Sequence, residues 1–114
     1  MEQWELDFYW LKVRHKIKDT FKGSDLPDLD TILFLIGIQE LGKPGQKFSK
    51  EEKIDLIKLA VATLLKDEAY FSFSGNKMDG WPEFEQLKDF DMTQKDGELL
   101  IKTKIIHYFD ALND

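Results

Sequence analysis

Residues 70–84 read YFSFSGNKMDGWPEF, and the fold class turns on this stretch. It holds five aromatic residues, Tyr70, Phe71, Phe73, Trp81 and Phe84, among the turn formers Gly75, Asn76, Gly80 and Pro82. Polar and apolar residues alternate over YFSFS, as in a half-buried strand. No second alternating run stands beside it to pair with. The stretch therefore reads as an aromatic-rich loop, and PEFEQLKDF after it as a short helix opened by Pro82. The loop spelling GNKMDG has a calcium-loop flavour. Aligning Gly80 with that motif's invariant glycine puts Gly75, Lys77 and Gln86 where it needs two acids or amides and a glutamate, so an EF-hand is excluded.

The rest of the chain is read as four main helices. EQWELDFYWLKVRHKIKDTFKG places acids early and bases late, which complements the helix dipole, and Gly23 marks its stop. LPDLDTILFLIGIQELG starts at Pro27, Asp28 and Asp30 and ends at Gly42. It is apolar from Ile32 to Ile38, as a central helix would be, and Gly37 allows a neighbouring helix close to it. A short turn, KPGQK, follows. FSKEEKIDLIKLAVATLLKDEAY carries a capping box, Ser49 with Glu52, and an apolar stripe of Ile54, Ile57, Val61, Leu64 and Leu65. TQKDGELLIKTKIIHYFDALND repeats the capping signal with Thr93 and Asp96, and its stripe is Ile101, Ile105, Tyr108 and Leu112. The expected fold is all-α: a single domain, 1–114, of four main helices and one short one, with the aromatic loop between the third and fourth.

Composition bounds the function. A chain of 114 residues buries about two thirds of its unfolded surface and needs no staples. There is no cysteine, which excludes disulfides, thiolate metal sites and cysteine nucleophiles. A net charge of −6 disfavours nucleic acid as a partner. MEQWELDFYW lacks the basic start and apolar core of a secretory signal, and no apolar run is long enough to span a bilayer. These features set the expectations of a cytoplasmic chain and of no membrane partner. Phosphate-loop and nucleophile-elbow patterns are missing, and His15 and His107 lack helical co-ligands of the zinc type. No cofactor, metal or catalytic residue is therefore expected.

Two surfaces remain for function. At about 100° per residue, the first helix carries two apolar stripes on roughly opposite sides. Leu6, Trp10, Val13, Ile17 and Phe21 form one; Trp4, Phe8, Leu11 and His15 form the other. Glu5, Lys12 and Lys16 separate them on one flank, and Asp7, Arg14 and Lys18 on the other. One core needs one stripe, so the second is covered by another segment, met by a partner or left open. Trp4, Phe8, Leu11 and His15 are the expected contact residues for a protein partner or a homo-oligomer. The second surface is the aromatic loop, with Tyr70, Phe73, Asp79, Trp81 and Phe84 as candidate ligand or docking residues. The segment from Asp79 to Glu98 has seven acids against two lysines, which would suit a basic protein segment. The favoured reading is a noncatalytic interaction module that self-associates; the alternative is a small-molecule-binding or enzymatic helical domain with a pocket beside Trp81.

LPDLDTILFLIGIQELG, FSKEEKIDLIKLAVATLL and DGWP together resemble a family of small, uncharacterised bacterial all-helical proteins. The likeness runs from Leu26 to Pro82 and implies a bacterial, cytoplasmic setting without activity, cofactor or site residues to carry over. The SGNKM before DGWP is less acidic here than in that family.

Overall fold

The computed structural model describes residues 1–43 and 47–112. The centre of the turn expected at KPGQK and the last two residues of the chain lie outside the described residues. In chain order the elements are α1 (Gln3–Phe21), α2 (Leu29–Leu41), α3 (Lys50–Leu64), a 3-10 turn (Lys66–Glu68), β1 (Phe71–Met78), β2 (Trp81–Gln86) and α4 (Lys95–Leu112). The fold is mixed α/β, which corrects the all-α expectation. The aromatic stretch is not a loop, and PEFEQ is a strand where a short helix was expected.

The physical reason lies in two residues. Asp79 and Gly80 both have positive φ, +54° and +87°, and together they form the whole connection between Met78 and Trp81, which pair across it. Two consecutive positive-φ residues make the type I′ turn, whose twist matches that of the strands it joins, and Asp-Gly is one of its preferred sequences. The hairpin is therefore specified at its tip rather than by alternation. Alternation fails because the register slips. Phe73 pairs with Phe84 and Lys77 with Pro82, so Ser74, Gly75 and Asn76 oppose Glu83 alone. Gly75, at φ +86°, absorbs this bulge. Both strands are edges, which is where Pro82 is tolerated.

The chain forms two compact units, Leu33–Phe90 and the pair of segments Met1–Ile32 and Asp91–Asp114, and the boundary falls within α2. In the unit Leu33–Phe90, α2 and α3 touch through Gly37, where a Cβ would collide with the carbonyl oxygen of Leu56. The close helix approach expected at Gly37 is thus present. Leu41, Leu56 and Leu59 form a buried cluster, and Phe34, Ile38, Phe48, Phe73, Trp81 and Phe84 pack on it. The Ser49–Glu52 capping box forms as expected, with the two reciprocal bonds at 3.1 and 2.9 Å. The expected α3 stripe is rotated in part: Val61, Leu64 and Leu65 are buried, but Ile54 is exposed and Leu56, Leu59, Ala60 and Ala62 take its place. Leu56 lies against Gly37 of α2, and Leu56 and Leu59 also meet Phe73, Trp81 and Phe84 of the hairpin, so both neighbours enlist a face the helical period alone did not favour.

In the other unit α1 packs on α4. Leu6, Trp10, Val13 and Ile17 are buried from α1, and Ile101, Ile105 and Ile106 from α4, whereas Phe21 and Leu112 are exposed. Lys102 sits 5.2 Å above the Trp10 ring and pairs with Glu98 at 2.6 Å. The left-handed residue ending α1 is Lys22, at φ +54°, one position before the expected Gly23. Arg14 donates Nε–H to the Pro27 carbonyl at 2.8 Å, which ties α1 to the approach to α2. Asp28 accepts the amide of Thr31 at 2.9 Å and begins α2. Hydrogen bonds from the Thr31 hydroxyl and then its amide hold the Asp28 carboxyl below the usual carboxylate range. Before α4 the expected Thr93–Asp96 cap is replaced. Thr93 donates its amide to Asp91 at 2.9 Å, and its hydroxyl hydrogen bond, together with that amide, likewise depresses the Asp91 carboxyl.

Candidate functional site

The second stripe of α1 is open. Trp4 is 67% exposed, Phe8 59% and Leu11 44%, and His15 is exposed beside them. All four residues of the expected interface therefore share one accessible helix face. Their order is held by ordinary helix chemistry: Glu5, at the third helical position, accepts the Glu2 backbone N–H at 3.4 Å and closes the first turn. The Trp4 indole N–H donates to the Glu2 carboxylate at 2.7 Å. Phe8 stacks edge-on against Tyr9, with ring centres 5.2 Å apart. On the flank, Asp7 accepts from the Gln3 side chain at 2.9 Å. A Trp, a Phe and a Leu in one exposed row is an unusual surface for a small protein, and rigid aromatic groups of this kind dominate interfaces.

The hairpin builds a different surface. An open groove of about 820 Å³ runs between α3 and the strands. Trp81, Phe84 and Pro82 supply its apolar wall; Glu52, Asp55 and Lys58 of α3 stand opposite. Asp79, Glu83 and Glu85 add three carboxylates from the hairpin, so among the described residues lining the groove Lys58 is the single base against five acids. Three of the five residues expected here, Asp79, Trp81 and Phe84, line the groove. Phe73 does not; it packs on the buried leucine cluster and against Phe84, ring centres 5.4 Å apart. Tyr70 lies at the base of the hairpin, where its carbonyl accepts the Leu87 N–H at 2.7 Å. The Tyr70 ring contacts Phe90 at 5.2 Å, and Lys88 caps its face at 4.2 Å. Trp81 is half-buried: it packs on the leucine cluster and also lines the groove.

Sequence reasoning missed the α3 wall. Glu52 is legible only as a cap, and Asp55 and Lys58 read as solvated helix surface; nothing in their spacing signals that a hairpin faces them. Among the described residues no group of three His, Cys, Asp or Glu side chains is arranged to hold a metal, and no helix is long and apolar enough to cross a membrane. Comparison of the chain with protein-family models, with curated proteins and with solved structures returned no match.

Proposed function

We propose that the protein is a noncatalytic interaction module that self-associates through the open face of α1. The observation that supports this reading is the exposure of Trp4, Phe8 and Leu11 in one row, on a helix whose opposite face is already buried. Removing such a row from water stabilises a complex by roughly 25 cal/mol per Å² of apolar surface before the cost of association. Sedimentation velocity over a concentration series tests it. The expected result is a reversible oligomer that reverts to monomer on Phe8→Ser. A wild-type chain that stays monomeric at high concentration would overturn the reading.

The groove supports a second reading, binding of a small cationic molecule. Its aromatic wall and five carboxylates attract a positive group, and Trp81 offers a face for cation–π contact. A thermal-shift series with linear polyamines tests it: stabilisation lost in Trp81→Ala supports the reading, and no shift overturns it.

A further inference from the structure

We infer that α1 docks antiparallel against α1 of a second copy of this chain, about a two-fold axis passing between Phe8 and Leu11. This inference rests on the self-association proposed above and adds which copy-to-copy orientation the surface permits.

The spacing of the exposed stripe comes first. Trp4, Phe8, Leu11 and His15 are separated by four, three and four residues, the 3.5-residue period by which two helices pack along a straight seam. Across an antiparallel pair centred between Phe8 and Leu11, each Phe8 meets the partner's Leu11 and each Trp4 the partner's His15. Large meets small at every level, and the contact is closed and self-complementary.

Charge then selects the orientation. Each flank of the stripe runs from acid to base: Glu5 then Lys12 and Lys16 on one side, Asp7 then Arg14 and Lys18 on the other. An antiparallel two-fold places each flank against the same flank of the second copy, reversed. Glu5 then faces the partner's Lys12 and the partner's Lys16, and Asp7 faces the partner's Arg14. A parallel two-fold places one flank against the other at equal height. Glu5 would then face the partner's Asp7, and Lys12 the partner's Arg14, so like charges would meet twice on each side. Arg14 is partly engaged by the Pro27 carbonyl, so the pairing draws mainly on the flank of Glu5, Lys12 and Lys16. Exposed charges are individually weak, but reversal of every pair at once is what decides between two otherwise similar packings.

The test uses the full chain, whose lack of cysteine allows a single label. Thr20→Cys puts a spin label on an exposed position of α1, away from the stripe. At a rise of about 1.5 Å per residue, antiparallel docking separates the two labels by about 35 Å and parallel docking by about 20 Å. The longer distance is expected in pulsed dipolar spectroscopy. Lys12→Glu is a second, independent readout. Antiparallel docking sets the new carboxylate against the partner's Glu5 and weakens the dimer about tenfold. Parallel docking sets it against the partner's Arg14 and strengthens the dimer. A short label distance, or tighter association of Lys12→Glu, overturns the antiparallel arrangement and leaves self-association standing. No oligomer in the wild type removes both.

Discussion

Two regions of this molecule are rich in aromatic residues, and they differ in what lies beneath them. In the hairpin, Phe73, Trp81 and Phe84 rest on Leu41, Leu56 and Leu59, and each shows only part of its surface to water. On α1, Trp4 and Phe8 stand on a helix whose buried stripe points the other way, so they contribute little to the core. Aromatic content alone does not separate the two cases. What lies beneath does: the hairpin rings pack on the leucine cluster of α2 and α3, whereas α1 distributes its side chains around its axis and buries only one stripe.

The comparison can be broken by substitution. Gly37→Ala tests the support under the hairpin. A methyl group there collides with the Leu56 backbone, and backbone cannot move as a side-chain tip does, so a loss of about 3 kcal/mol is expected in denaturant unfolding. Trp81→Ala should cost about 2 kcal/mol, less than for a wholly buried Trp, since its ring is only partly buried. An unchanged midpoint for Trp81→Ala would mean that its ring supports the groove alone.

Smaller effects sharpen the contrast. Gly80→Ala forces an alanine to φ +87° and should cost about 1 kcal/mol, with the loss seen first in amide exchange of β1 and β2. Asp28→Ala should cost about 1 kcal/mol at pH 7 through the lost bond to Thr31. The Asp28 carboxyl is depressed in the folded chain, so its stabilisation is present above the ordinary value of 3.8 and fades as pH falls through the lower folded value. Wild type and variant should therefore converge in acid unfolding below that range. Phe8→Ser should change the stability of the isolated chain by less than about 0.5 kcal/mol while abolishing the proposed self-association. A loss comparable to that of Trp81→Ala would erase the difference between the two aromatic regions.

Helix positions were legible in the sequence because their signals are local. Ser49 and Glu52 close a cap across one turn, and Leu6, Trp10, Val13 and Ile17 mark one face by spacing. The two-faced character of α1 was legible for the same reason. The hairpin was not read, although Asp79-Gly80 is a local signal too; the expectation of alternation hid it, because the bulge at Gly75 shifts the strand out of phase. The two-residue Asp79-Gly80 turn specifies this hairpin more strongly than the pattern of the strands it joins.

The groove depended on tertiary structure. Asp55 and Lys58 look like any solvated positions on α3 until β2 is laid across that helix. Packing by α2 and the hairpin together decided which side of α3 is buried, exposing Ile54 and enclosing Leu56 and Leu59. The sequence by itself determined the four helices, the close approach at Gly37 and the second apolar row of α1, since propensity, caps and the 3.6-residue period act within a few turns. Only the tertiary structure decided that Trp81 and Phe84 lie against α3 and that the Trp4 and Phe8 side chains stand exposed. Those outcomes depend on which distant surfaces meet, and the free energy of that meeting is shared among many residues rather than written in any one stretch.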